Sequence, residues 1–232
     1  MTNVIADNYK QVYAICHIIY RMTSETRNKM VAGAAELLSR RGMHGTSLRE
    51  VVRHTETPRG SIGYHFPGGK AQLIEAAVQL AQRQVGDVLE RIFREHGAAA
   101  GIGKMFDMRG AALAESSFEA GCPVLVVAIE RYTDDAKQAP DAATQQQLLA
   151  AAHQAFGEWR HIIAAALARD GIAPGRAQRL ATLAISASEG AVALCRAALN
   201  LQALQDVGEE MTQLVQAAIE DAEVLDVLDK QK

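Results

Sequence analysis

The chain has 232 residues, 49% of them hydrophobic and 22% charged, which is ordinary globular usage and excludes disorder on a large scale. Five prolines, 5% aromatics, long Ala- and Leu-rich runs and no alternating Val/Ile/Thr segments exclude a sheet protein and predict an all-α chain. The formal net charge of −3 hides an asymmetry, because residues 23–70 hold eight Lys/Arg against four Glu while the residues after position 70 hold 14 Lys/Arg against 22 Asp/Glu. A small cationic module on an acidic body suits contact with a polyanion through one end only. Cys16, Cys122 and Cys195 lie far apart with no C-x-x-C spacing and read as free or buried thiols in a reducing compartment, with no metal site. No apolar run approaches the ~18 residues of a membrane span, so the expectation is a cytoplasmic protein with no membrane partner.

Residues 1–22 carry the apolar cluster Val12–Tyr20 with His17 inside it, lack a small-residue cleavage site, and read as an N-terminal extension rather than a signal peptide. A first helix opens near Thr23/Ser24, places Met30, Val31, Ala34, Leu37 and Leu38 at helical spacing, and stops at Arg40-Arg41-Gly42. The stretch TSLREVVRHTETPRGSIGYHFPGGK, Thr46 to Lys70, then reads as two short helices around a tight turn. Ser47 with Glu50 is a capping box, and Leu48, Val51 and Val52 form the apolar face. Thr57 is a candidate N-cap with Pro58 at the first helical position, and Phe66-Pro67-Gly68-Gly69 ends the second helix.

Lys70 opens a long amphipathic helix with Leu73, Ile74, Ala77, Leu80, Ala81, Val85, Val88, Ile92 and Phe93 on one stripe. The Gly- and Ala-rich segment His96–Lys104 reads as a hinge or a boundary between modules; it is not a phosphate loop, because Ala98 and Met105 stand where that motif needs Gly and Ser/Thr. Five further helical segments are expected at 102–119, 122–136, 142–169, 175–199 and 203–228, punctuated by Gly121-Cys122-Pro123, Ala139-Pro140-Asp141, Asp170-Gly171 and Pro174-Gly175. Domains are expected at 23–70 and 71–232.

The order of helices, the run G-S-I-x-x-H-F-P-G-G-K at Gly60–Lys70, and the weaker marks Gly121-Cys122-Pro123-Val124, Phe156 with Trp159, and Glu189-Gly190-Ala191 resemble the TetR-type transcriptional regulators, within them the subgroup named for LmrA and YxaF. The resemblance spans Met22 to about Ile219. It implies an N-terminal three-helix helix-turn-helix domain, a C-terminal helical domain for ligand binding and dimerisation, a homodimer whose last two long helices pair, and a small-molecule effector that releases the protein from double-stranded DNA. Three positions depart from that pattern: Glu56 stands where the turn has glycine, Thr57 where an apolar residue follows, and Gly63 where a phosphate-contacting tyrosine is common, with Tyr64 one place on.

The DNA-contacting set is then Thr46, Ser47, Arg59, Gly60, Ser61, Gly63, Tyr64, His65 and Lys70. Arg59 is divided between a guanine edge and a phosphate; Thr46, Ser47, Ser61, Tyr64 and Lys70 are assigned to phosphates, and His65 to packing at the helix end. The ligand-pocket candidates are Met105, Phe106, Phe156, Trp159 and Glu189, each weighed against an ordinary core role. Leu180, Ala184, Ala187, Ala191, Leu194, Cys195 and Ala198 are the dimer candidates. His44, His54 and His65 lack metal-ligand spacing, no cofactor is implied, and no motif of a hydrolase, zinc protease or dinucleotide enzyme occurs. The competing expectation is a helical ligand-sensing or protein-interaction dimer that has lost DNA binding, and an enzyme is the third.

Overall fold

A computed structural model describes residues 25–133 and 142–229 of the chain. The expected N-terminal extension, Cys16 and the break at Ala139-Pro140-Asp141 lie outside the described residues.

Among the described residues there are helices and connecting turns and no strand. α1, residues 25–41, buries Met30, Val31, Ala34, Leu37 and Leu38, the apolar stripe expected from spacing. It stops where Gly42 takes a left-handed φ of 71° and donates its N–H to the Leu38 carbonyl. α2, Leu48–Thr55, begins at Ser47, whose hydroxyl accepts from the Glu50 N–H at 3.1 Å. Only half of the capping box forms, because the Glu50 carboxylate is taken by Arg41 and Arg53. α2 ends at Glu56, a non-glycine residue in the left-handed region with φ 53° and ψ 32°. Thr57 does not cap the next helix: it is buried, and its hydroxyl pairs with that of Thr55 at 2.9 Å. A single 3₁₀ turn, Arg59–Ser61, runs into α3, Ile62–His65. Buried Phe66 then pins the pair to the core, with the Arg27 guanidinium 5.3 Å above its ring.

α4, Gly69–His96, is continuous from this three-helix unit into the C-terminal body. No hinge follows it. The chain reverses at Gly97 and enters α5, Ala98–Glu115, whose first N–H is capped by the Asp170 carboxylate at 2.6 Å. Gly101 lies against the Phe93 ring so closely that a Cβ would sit 2.5 Å from it, so the glycine run serves helix–helix contact rather than bending. α6, Pro123–Ile129, is shorter than expected; α7, Ala142–Arg169, α8, Pro174–Ala198, and α9, Gln202–Asp229, fall within a few residues of the sequence-based bounds. α4 packs most extensively on α7 and α5 on α9, while α8 lies between α7 and α9. By length and composition α8 could cross a membrane, contrary to the sequence expectation, but here it packs on α5, α7 and α9.

Candidate functional site

Three regions carry the polar and apolar features that a core does not require: the outer face of α2 and α3, the seam between the N-terminal unit and the body, and two neighbouring pockets bounded by α4 to α8.

On the outer face, Tyr64 is 75% exposed, the largest aromatic surface left in solvent among the described residues, with the His65 ring edge-on at 5.2 Å. Arg59, Gly60 and Gly63 are also exposed, Ser61 and His65 half-buried. The Ser61 hydroxyl donates to the Pro58 carbonyl at 2.6 Å and so shapes the 3₁₀ turn. A Cβ built on Gly60 or Gly63 would meet nothing within 4 Å, so neither glycine is demanded by the chain's own packing. Half of the eight Lys/Arg of residues 23–70 are ion-paired within the chain: Arg41 and Arg53 to Glu50, Arg40 to Glu36 and Glu119, Lys29 to Glu25. The hydrogen bond from Arg53, with Arg41 also beside it, holds the Glu50 carboxyl below its ordinary value. Exposed Arg49 and Arg59 take part in no ion pair among the described residues. Arg49 was not among the sequence candidates; its place in the first turn of α2, on the side away from Val51 and Val52, was the available signal.

Two expected phosphate contacts are placed elsewhere. Thr46 is 1% exposed and its hydroxyl donates to the Gly42 carbonyl at 2.8 Å, bracing the loop before α2. Lys70 is 4% exposed; its ammonium donates to the Thr133 carbonyl at 3.1 Å and lies 5.9 Å from the Tyr132 ring centre, so it belongs to the seam rather than to the reading face.

The seam is a set of hydrogen bonds from the flanks of α6 to α1 and its loop. The Met43 N–H donates to the Glu130 carboxylate at 2.7 Å, the Gly121 N–H to the Ser39 carbonyl at 2.8 Å, and His44 Nδ1 meets the Thr133 hydroxyl at 3.2 Å. Gln145 of α7 accepts from the Tyr132 N–H at 2.6 Å and steadies the same strip. His54 pairs with Glu36 at 3.0 Å; His44 and His54 are thus engaged in ordinary contacts, and no metal-holding group of His, Cys, Asp or Glu occurs among the described residues.

Two neighbouring pockets share Ile185 and Glu189. An outer groove of about 540 Å³ is lined by Leu125 and Ile129 of α6, Phe156 and Arg160 of α7, and Ile185 and Glu189 of α8, among others. A small cleft of about 30 Å³ is lined by Val85 and Leu89 of α4, Met105 and Arg109 of α5, Trp159 of α7, and Glu189 of α8, among others. Phe156 and Trp159 pack edge-to-face, ring centres 5.5 Å apart, with the Trp159 N–H donating to the Gln82 carbonyl at 3.0 Å. Four of the five sequence candidates therefore line one or other of these pockets. The fifth does not: buried Phe106 packs against Gly208 between α5 and α9. The structure adds Arg109, whose Nη2 donates to Glu189 at 2.9 Å and gives that carboxylate its counter-charge. Cys122, at the N-cap of α6, is buried, and desolvation, with Glu189 adding to it, pushes its thiol up to about 12.

The expected dimer set is divided by the phase of α8. Leu180, Ala184, Ala191 and Cys195 are buried within their own chain. Their small side chains let the flanking helices of the same subunit approach. Ala187 is half-buried, whereas Leu194, at 61%, and Ala198 are exposed. The solvent stripe of α8 runs instead through Leu183, Ser186, Gly190, Ala193, Leu194 and Ala197.

A short helix-turn-helix braced on a helical body defines the class, and comparison with known proteins agrees. Residues 30–77 match the family model for bacterial regulatory proteins of the tetR family, and residues 98–210 match the model for the LmrA/YxaF-like transcriptional regulator C-terminal domain. The chain is 33% identical to the helix-turn-helix transcriptional regulator Rv0196 of Mycobacterium tuberculosis over 83% of its length and 95% of that protein's. It is 27% identical to LmrA of Bacillus subtilis over 76% of its own length and 89% of that protein's. A TetR transcriptional regulator from Chloroflexus aurantiacus superposes with a TM-score of 0.63 at 28% identity, over 84% of this chain and 96% of that one. The chain belongs to the TetR family of transcriptional regulators. Its body is similar to those of LmrA and YxaF.

Proposed function

We propose that the chain binds an inverted-repeat operator as a homodimer and releases it when a small apolar molecule occupies the groove beside α6. The observation that carries this reading is the double duty of α6: Leu125 and Ile129 line the groove, and the next residue, Glu130, holds the loop that leads into the helix-turn-helix. A ligand that displaces α6 acts directly on the base of the reading head, and a coupling of about 1–3 kcal/mol gives roughly 5–150-fold release. Arg59 and Arg49 supply the cationic contacts, with Gly60, Ser61, Gly63, Tyr64 and His65 forming the surface that enters the major groove and Ser47 at its margin. Leu183 and Leu194 on α8, with exposed Leu214 on α9, supply apolar surface for self-association. Such a regulator works in the cytoplasm, where its operator is.

The test is a DNA titration against the sequence flanking the chain's own gene, at several salt concentrations and with a panel of aromatic compounds. Steep salt-dependent binding to one inverted repeat, weakened by one class of compound, is the expected outcome. Ligand binding by a dimer that ignores DNA at all salts would favour the other reading, a sensing or protein-interaction dimer, for which Glu56 and Gly63 in the reading head are the supporting departures.

A further inference from the structure

The helical stretch Arg59–His65 turns Arg59, Gly60, Gly63 and Tyr64 to solvent, while Ile62 packs on the core. Gly60, Gly63 and Tyr64 follow one another at the i, i+3, i+4 spacing of a single helical face. Two of these three positions carry no side chain, and a Cβ built on either would meet nothing within 4 Å. The backbone is therefore free to come close to a groove floor, with the Tyr64 ring projecting from that face. The ring lies edge-on to His65 at 5.2 Å, and His65 in turn to buried Phe66 at 6.5 Å. This row of aromatics orients the phenol from the core outward, so part of the ordering that a contact requires is already present in the free protein. Hydrogen-bonding capacity on the same stretch is small: the Ser61 hydroxyl donates to the Pro58 carbonyl at 2.6 Å, and residues 59–65 include no Asn, Gln, Asp, Glu or Lys. Beside Arg59, the face offers base edges chiefly an aromatic surface.

Resting on the operator-binding reading above, we infer that Tyr64 is a specificity-determining residue that reads the C5-methyl group of a thymine in each half-site, in place of the phosphate contact expected from its residue type. Thymine alone among the four bases presents a methyl group in the major groove, and an apolar side-chain surface discriminates through it. A contact from the phenol O–H to a phosphate would leave the ring in water and would make no use of the two bare positions beside it. A ring laid on the groove floor uses both, since Gly60 and Gly63 let the helix approach until the phenol covers the methyl group. Ser47 and exposed Arg49, at the start of α2, remain for the phosphates.

The test starts from a random-sequence duplex library, from which the full chain selects its own binding site. Each thymine of the selected site is then exchanged in turn for deoxyuridine, which keeps the base pair and removes only the methyl group. Gel-shift titration of the wild-type protein is expected to find a position in each half-site where the exchange weakens binding about fourfold, the worth of one buried methyl-sized group. Tyr64→Phe keeps the ring and is expected to retain both the affinity and that sensitivity. Tyr64→Ala is expected to bind more weakly and to treat thymine and deoxyuridine sites alike. Both substitutions fall on a side chain that is 75% exposed, so the fold is kept, which circular dichroism checks, and the wild-type exchange series does not depend on either variant. A wild type indifferent to every exchange, a sensitivity that survives in Tyr64→Ala, or a Tyr64→Phe variant as weak as Tyr64→Ala would each overturn the inference, the last by marking a hydroxyl on a phosphate. A library that yields no selected sequence sinks the operator-binding reading itself, and this inference with it.

Discussion

The Glu130 carboxylate accepts the Met43 backbone N–H at 2.7 Å across 87 positions of sequence, and it does so directly beneath Gly42, where a Cβ would lie 2.5 Å from a Glu130 oxygen. One carboxylate thus joins the end of α6 to the end of α1. Replacing Glu130 by alanine is expected to lower stability by about 1–2 kcal/mol and to change operator affinity, with the glutamine variant, which keeps an acceptor, close to wild type. Thermal unfolding and DNA titration of both variants check this; two variants indistinguishable from wild type in both would remove the seam from the coupling.

Lys70 and Arg59 should part company. Arg59→Ala leaves folding unchanged and weakens DNA binding, with a flatter salt dependence if it meets phosphate and relaxed choice at one base pair if it meets a base. Lys70→Ala lowers the melting temperature, because the buried ammonium ties α4 to Thr133, and its salt slope stays that of wild type. A reduced salt slope for the lysine variant would return Lys70 to the DNA surface.

The reading head holds two residues whose exchange moves stability and binding separately. Glu56→Gly relieves the left-handed backbone at φ 53° and is expected to stabilise the fold by about 1 kcal/mol or less. Gly63→Ala also stabilises, by up to about 1 kcal/mol in helix propensity, yet adds a methyl group to the exposed surface proposed above to enter the major groove. Weaker operator binding by the more stable alanine variant is the outcome to measure.

Cys122 sets an alkaline limit. Its folded pKa, about 12, lies above the ordinary thiol value of 9.0, so the neutral thiol's contribution is fully present below about 9 and is lost as the pH rises from there toward about 12. The fall in melting temperature between pH ~8 and ~10.5 should therefore be smaller for Cys122→Ala than for wild type. Equal falls would mean that the thiol titrates normally.

Leu194→Glu tests the solvent stripe of α8. The substitution is expected to convert a dimer to monomers in sedimentation without loss of helix content, since Leu194 touches solvent in the single chain.

What sequence could and could not show follows from the range of the interactions. Local signals located the elements well: Ser47 as an N-cap, Pro123 and Pro174 at helix starts, and the Pro67-Gly68 stop all act within one turn. Residues 96–104 mark a helix boundary at Gly97 but form no loop, because low helix propensity is overridden by the Asp170 cap and by Phe93 lying on Gly101. Lys70 looked like a phosphate ligand because nothing local shows residues 130–133 folding over it. Arg109 and Glu189, 80 positions apart, could be joined only by the packing of α5 against α8. For α8 the small-residue stripe was visible, but Ala184, Ala191 and Cys195 are buried within the subunit, since a face of alanines suits an intramolecular neighbour as well as a second subunit.

Gly42 meets two demands at once, a left-handed φ that ends α1 and space for the Glu130 oxygens. A position so doubly constrained is a fixed point in the adaptation of the protein. Tuning of the proposed coupling would therefore enter from the Glu130 side, where Asp, Gln or Ala can lengthen, neutralise or cut the link without disturbing how the first helix stops.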